Sequence, residues 1–194
     1  MPAYHHGNLR QELLDAAVQA ITERGVPAVT LRGLAAATGV SHAAPAHHFG
    51  DKAGLLTALA TDGFERLGDA LAAGGGDFLE TGLAYVRFAL VHPAHFEVMF
   101  QPALYHPDDP ALVAARARTT ALLGASSRDA SAPPRTGDTG DRALAGWCLV
   151  HGFASLVGTG AITPDGDAIA MARRLALAAF APGGAGAGPS RGRR

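Results

Sequence analysis

The chain has 194 residues, of which 48% are hydrophobic and 17% charged, so it has enough apolar side chain for a core and enough length for one or two domains. A net charge of −1 gives no general attraction to nucleic acid. The sequence shows neither a signal peptide nor an apolar run of the roughly 18 residues that span a bilayer. The single cysteine, Cys148, excludes an intrachain disulfide, and we predict a cytoplasmic protein.

A first helix is predicted from Asn8, whose side chain can cap it, and the most informative stretch follows at residues 30–52. There Thr30 can cap one short helix, Gly39 allows the chain to reverse, and Ser41 can cap a second short helix. A helix, a glycine turn and a second capped helix are typical of a helix-turn-helix. Because that unit places its second helix in the major groove, the pattern predicts DNA binding.

Helical spacing of apolar side chains predicts six further helices over residues 53–181, interrupted by Gly74–Gly76, by prolines and by a polar loop over residues 125–140. No stretch alternates as a strand does, so we predict the all-α class. The predicted organisation is a three-helix DNA-binding domain over residues 1–52, a helical ligand-binding and dimerisation bundle over residues 53–181, and a disordered tail over residues 182–194.

The first helix, the segments TLRGLAAATGVS and HHFGDKAGLL, and the all-α remainder together resemble the tetracycline-repressor (TetR) family of transcriptional regulators. The family pattern around the recognition helix is G-V-S-x-x-x-x-aromatic-x-H-F-x-x-K. The residues that fit it are Gly39, Val40, Ser41, His48, Phe49 and Lys52. A shorter W-x-x-x-H-G match at Trp147, His151 and Gly152 resembles a subgroup of that family.

The resemblance implies a homodimer that binds a palindromic DNA operator and releases it when a small molecule enters the C-terminal bundle. It therefore predicts a ligand-responsive repressor, with no enzyme activity, no cofactor, no metal site and no membrane partner. The last two helices would pair with a second subunit, and small residues between Gly152 and Gly160 would let a partner helix approach closely. The implied DNA-contacting residues are Thr30, Arg32, Ser41, His42, Ala43, Ala44, His47, His48 and Lys52.

Two positions depart from the family pattern. Ala46 stands where members usually have Tyr or Phe, and Pro45 removes an amide from the first turn of the recognition helix. We therefore expect modest DNA affinity, and a helical interaction protein with weakened DNA binding is the alternative function.

Aromatic side chains in short helices flanked by prolines are typical of a pocket for an apolar or aromatic small molecule, although ordinary core packing explains them equally well. Trp147 and His151 would add one or two polar groups to such a pocket. The predicted pocket residues are Phe64, Tyr85, Phe88, Phe96, Met99, Phe100, Tyr105, Trp147 and His151.

A metal-dependent or cysteine-dependent enzyme is a further alternative. Cys148 and His151 are neighbours on a helix, but no orienting group or oxyanion site accompanies them. His92 and His95 are three residues apart with His106 near, but a proline interrupts the helix between the first two, and no further ligands complete a metal site.

Overall fold

The computed structural model describes residues 9–126 and 138–180, and all regular structure in these ranges is helical, which confirms the predicted all-α class. Asn8, the predicted tail over residues 182–194 and most of the predicted loop over residues 125–140 lie outside the described residues. Within these ranges the helices are α1 (Leu9–Arg24), α2 (Leu31–Thr38), α3 (Ala44–Phe49), α4 (Lys52–Ala73), α5 (Phe78–Val91), α6 (Pro93–Met99), α7 (Pro110–Ser126), α8 (Asp138–Gly158) and α9 (Ala168–Phe180), with 3-10 turns at Val26–Ala28 and Pro102–Leu104.

Several helix ends are fixed by the caps that the sequence predicts. Thr30 Oγ1 accepts the amide of Gly33 at 3.0 Å where α2 starts, and Asp77 Oδ1 accepts the amide of Glu80 at 2.8 Å where α5 starts. Gly39 ends α2 at φ 70°, a conformation that glycine adopts without strain. These caps depend only on residues within one helical turn, which is why the sequence predicts them.

The cap predicted for α3 is wrong. The N-terminal cap position is Ala43, no side chain caps the helix, and the carbonyl of Ser41 accepts the amide of Ala44 at 3.0 Å. Pro45 lies in the first turn, where its missing amide has no helical partner to lose. The proline therefore places the start of α3 after the predicted cap, and the helix is six residues long.

The later helices also start at different residues from those predicted. Helix α6 begins at Pro93 rather than at Phe96, because proline suits the first turn of a helix. Helix α8 begins at Asp138 rather than at Asp141, and α9 begins at Ala168, after the predicted Thr163 start. These shifts of a few residues leave the predicted order of helices intact.

Helix α4 is the central element. It packs along α7, α6 and α5, and α5 packs in turn against α8 and α9. Its buried Leu55, Leu59 and Leu67 belong to a continuous apolar core that also contains Leu13 of α1 and Tyr85 of α5. Burial contributes roughly 1.5–3 kcal/mol for each large apolar side chain, so this core firmly joins the first three helices to the others. No helix of the two described ranges has the length and apolar character needed to cross a membrane.

Candidate DNA-binding face and internal cavity

The nine residues assigned to DNA contact lie on α2, on α3 and in the connections beside them. Ala44 and Lys52 are partly buried, and the other seven are exposed. The exposed residues are Thr30, Arg32, Ser41, His42, Ala43, His47 and His48. The fold therefore leaves most of the assigned side chains accessible to a second molecule.

Arg32 and Thr30 lie together at the start of α2. The Arg32 guanidinium makes no ion pair or hydrogen bond within the described part of the chain. Thr30 accepts a backbone amide as the cap of α2, which leaves its hydroxyl proton free for another acceptor. Both groups can thus donate to phosphate oxygens, the contacts that position a protein on DNA.

Helix α3 presents small and imidazole side chains. His42 lies in the turn before the helix and His47 lies in its last turn. The His47 and His48 rings meet edge to face with centroids 5.6 Å apart, but His48 also borders a hollow between α1, α3 and α4 beside Arg10. Ala46, at the position of the family's aromatic residue, is exposed and offers only a methyl group. The face of α3 therefore lacks a long cationic side chain.

Lys52 has partners inside the protein that the sequence did not reveal. Its Nζ donates to the carbonyl of Val26 at 2.9 Å and to that of Pro27 at 3.4 Å. An ammonium has three donors, so one remains for a phosphate. Lys52 thus attaches the start of α4 to the connection between α1 and α2.

A close backbone approach joins α3 to α4. Asp51 caps α4 by accepting the amide of Gly54 at 2.8 Å. A Cβ added at Gly54 would overlap the carbonyl oxygen of Phe49, the last residue of α3. Only glycine fits there, and we infer that α3 and α4 move together.

A partly buried polar cluster joins α4 to α6. Asp62 of α4 accepts from His95 Nε2 at 3.0 Å and from Arg66 Nε at 2.7 Å. Burial acts to raise the pKa of Asp62, but these two hydrogen bonds and the nearby charges outweigh it and lower the pKa to about 2. Burial and the neighbouring His95 and Arg66 also hold the pKa of His92 below its ordinary value. The cluster thus holds an ionised carboxylate between the two helices.

A cavity of about 480 Å³ lies between α4, α5, α7, α8 and the segment after α6. Six of the nine predicted pocket residues line it, namely Phe64, Tyr85, Met99, Phe100, Tyr105 and Trp147. Phe96 and His151 lie behind this wall, with the His151 ring 4.6 Å from Phe100 and 5.2 Å from Phe96. Phe88 does not line the cavity, because it packs beside His92 on a separate groove between α4 and α5.

Three side chains form a hydrogen-bonded chain at the cavity wall. Trp147 Nε1 donates to the Tyr85 hydroxyl at 3.2 Å, and that hydroxyl lies 2.8 Å from His151 Nδ1. We assign the tautomer of His151 with its proton on Nε2, so that Nδ1 can accept the Tyr85 proton. Burial raises the pKa of Tyr85 and lowers the pKa of His151, so both groups are neutral at pH 7.

Helix α7 supplies a cavity wall that the sequence reasoning missed. Arg116 Nη2 donates to the carbonyl of Pro107 at 3.0 Å, and Thr119 Oγ1 donates to the carbonyls of Phe64 and Ala115. Neither residue is aromatic, so aromatic content does not reveal this wall. The spacing of Arg116 and Thr119, which places both on one helical face, is the signal that could have indicated it. The lining residues that were missed are Leu67, Pro102, Arg116, Thr119, Thr120, Leu123, Gly124, Ala143 and Leu144.

The segment between α6 and α7 connects this cavity to the start of α4. The amide of His106 donates to Thr57 Oγ1 at 3.0 Å, and His106 Nε2 lies 3.8 Å from Asp51 Oδ1. The next residue, Pro107, is the one whose carbonyl is bound by Arg116. A short path of hydrogen bonds therefore runs from the cavity to the helix that follows α3.

The residues considered for an enzymatic site have other surroundings. Cys148 is exposed, and His151 Nδ1 is engaged by Tyr85 rather than by the thiol. His95 binds Asp62. No three His, Cys, Asp or Glu side chains of the described ranges come together as metal ligands.

Helices α8 and α9 expose an apolar surface. Leu156 on α8 and Leu177 on α9 are 46% and 54% exposed, respectively. A Cβ added at Gly152 or Gly158 would meet no atom within 4 Å. This surface of α8 and α9 is therefore open to close approach by another helix.

These features define an all-helical protein with an N-terminal helix-turn-helix and a cavity among its later helices. Residues 13–59 match the family described as bacterial regulatory proteins, tetR family, and residues 78–179 match the tetracyclin repressor-like C-terminal domain. The chain belongs to the TetR family of DNA-binding transcriptional regulators, whose members are not enzymes.

Relatives and solved structures agree with that family. The chain is 41% identical over 68 residues to the HTH-type transcriptional repressor AcnR of Corynebacterium glutamicum, a match that covers 35% of this chain and 36% of AcnR. A solved protein of unknown function from Rhodococcus sp. RHA1 is 33% identical, with a TM-score of 0.76 over 93% of this chain and 97% of that one. A bacterial regulatory protein in the TetR family from Rhodococcus RHA1 has the same fold, with a TM-score of 0.69 at 21% identity over 89% of this chain and 95% of that one.

Proposed function

We propose that this protein is a ligand-responsive repressor that binds a palindromic operator as a homodimer and leaves it when a small molecule occupies the cavity. One observation carries the proposal: α4 contributes Phe64 and Leu67 to the cavity and begins at Lys52, whose ammonium binds carbonyls of the connection between α1 and α2. About twelve residues, or roughly 18 Å of helix, separate Lys52 from the residues of α4 that line the cavity. A ligand that displaces the cavity end of α4 therefore acts directly on the DNA-binding helices.

The apolar walls support an apolar or aromatic effector, and the name of the relative AcnR supports a repressing role. The cavity volume falls in the range of about 300–1,000 Å³ typical of small-molecule sites. The hydrogen-bonded placement of Trp147 and His151 supports a subgroup marked by the W-x-x-x-H-G signature. A regulator of this kind acts in the cytoplasm, where its operator lies.

Dimerisation is proposed through α8 and α9. A single helix-turn-helix reads few base pairs, and two-fold dimers bind half-sites about 34–36 Å apart or at multiples of that distance. The exposed Leu156 and Leu177, and the open positions at Gly152 and Gly158, support this surface as the interface. The approach of two helices would remove these apolar side chains from water.

Selection of duplexes from a random library, followed by gel shifts at low salt on DNA beside the protein's own gene, tests the DNA-binding role. We expect one enriched palindrome. Arg32→Ala should weaken binding to all sequences equally, His42→Ala should change base preference, and the matched control Arg24→Ala should do neither. If no sequence is enriched and no specific shift occurs, the repressor proposal fails and the interaction-protein alternative is favoured.

A further inference from the structure

We propose that the effector is an organic anion, a carboxylate with an apolar body, and that Arg116 binds its head group. Among the described residues that line the cavity, Arg116 is the only charged one, and no Asp or Glu lies there. This inference rests on the proposed effector role of the cavity, and it adds the chemical class of the ligand.

The hydrogen-bond donors of the other lining side chains are occupied. The hydroxyl protons of Thr119 and Thr120 go to backbone carbonyls, and that of Tyr105 goes to the carbonyl of Met99 at 2.8 Å. The Trp147 N–H and the Tyr85 O–H are used within the wall, on Tyr85 and His151. A ligand that carries a hydrogen-bond acceptor therefore finds free side-chain donors only on Arg116, within the described lining.

Arg116 has donors to spare. It is partly buried, donates one hydrogen bond, to the carbonyl of Pro107, and forms no ion pair within the described ranges. A guanidinium carries five N–H donors in a planar fork that matches a carboxylate. Partial burial of an unpaired charge is unfavourable. An anion that binds the Arg116 guanidinium therefore stabilises that charge and is itself stabilised by it.

The α7 wall of the cavity separates Arg116 from an apolar side chain. Arg116, which donates to the carbonyl of Pro107, lies at one end of this wall, and Leu123 lies toward its other end. Seven residues of α7 separate Arg116 from Leu123, which corresponds to about 10 Å. A ligand with its carboxylate on Arg116 would therefore place a chain or ring of about that length along the α7 wall toward Leu123.

Fluorescence of Trp147, the single tryptophan of the chain, reports occupancy of the cavity directly. The full-length protein is titrated with decanoate, decanol and decyltrimethylammonium, each below its micellar concentration. We expect decanoate to bind about 10–100-fold more tightly than decanol, as one charge-assisted contact implies, and the cation to bind most weakly.

Two variants locate the charge effect. Arg116→Gln should bring the affinities for decanoate and decanol within about threefold of each other, and Arg116→Lys should keep part of the preference. Arg118→Gln is the matched control, because Arg118 lies on the same helix but pairs with Asp69 outside the cavity lining. Circular dichroism confirms that each variant is folded.

Three results are distinguishable. If all three probes saturate with equal affinity, the cavity binds ligands without regard to charge, and the anion proposal is wrong while the effector role stands. If Arg116→Gln and Arg118→Gln retain the same decanoate preference, Arg116 is not the head-group site. If no probe changes the Trp147 signal, both the effector role of the cavity and its ligand class are refuted.

Discussion

Replacing Asp62 by Asn tests the polar contact between α4 and α6. Hydrogen bonds from His95 and Arg66 outweigh the effect of burial and lower the pKa of Asp62 from 3.8 to about 2. One pKa unit corresponds to about 1.4 kcal/mol, so the ionised carboxylate would stabilise the folded state by ~2 kcal/mol. Solvent at this side chain, which is 25% exposed, reduces the expected loss in Asp62→Asn to about 1–2 kcal/mol.

The stability lost in Asp62→Asn should depend on pH. A carboxylate whose pKa is lowered by folding stabilises the protein fully above its unfolded pKa of 3.8, and this stabilisation is lost as the pH falls toward 2. The difference between wild type and Asp62→Asn should therefore be constant from pH 7 to pH 5 and shrink by roughly half at pH 3.

Urea unfolding followed by circular dichroism, at one fixed protein concentration because dimers gain stability with concentration, measures this difference. Asp69→Asn is the control, because Asp69 is 74% exposed and pairs with Arg118 at the surface. We expect less than about 1 kcal/mol from it. Equal losses in the two variants, or a loss from Asp62→Asn that is unchanged at pH 3, would refute the role given to Asp62.

Three further predictions concern the contact between α3 and α4, the cavity wall and the dimer. Gly54→Ala should lower stability by about 1–3 kcal/mol and abolish specific gel shifts, because its Cβ would overlap the Phe49 carbonyl, whereas Gly140→Ala on open helix surface should do neither. The free energy of unfolding should fall as the pH drops below about 6.5, because the pKa of partly buried His151 lies below that of the unfolded chain, which takes up a proton first. His151→Gln should flatten that slope in urea titrations. Leu177→Glu should convert a dimer to monomers in sedimentation velocity, and a dimer that survives would place the interface elsewhere.

Local signals in the sequence predicted much of the fold. Thr30, Gly39 and Asp77 fix helix ends through contacts within a few residues, and those ends lie where the sequence places them. The capping role predicted for Ser41 is wrong because two signals compete, a capping hydroxyl and a proline four residues later. The proline determines the start of α3. The hydrogen-bond partners of Lys52 could not be predicted, because these carbonyls lie about 25 residues earlier in the chain.

The cavity was predicted mainly from aromatic side chains. Aromatic residues such as Phe100 and Trp147 line it, so aromatic content was a useful signal. Phe88 shares that character but lies on another groove, since its neighbours depend on how α4 and α5 pack. Arg116 and Thr119 resemble solvated residues of an amphipathic helix, and only the position of α7 against α4 shows that they face a cavity.

Under the effector role proposed for the cavity, the connection between the cavity and α4 bears on whether a ligand acts as an inducer or as a co-repressor. Arg116 holds the Pro107 carbonyl from the cavity side, and the adjacent His106 amide donates to Thr57 on α4. A ligand that takes the guanidinium away frees this carbonyl, whereas one that leaves the contact in place tightens the same connection. Under the effector role proposed for the cavity, linkage predicts that the two kinds of ligand shift the population of the DNA-competent conformation in opposite directions. Substitutions within residues 106–109 would therefore alter the sense of regulation without replacing a residue that lines the cavity or one assigned to DNA contact.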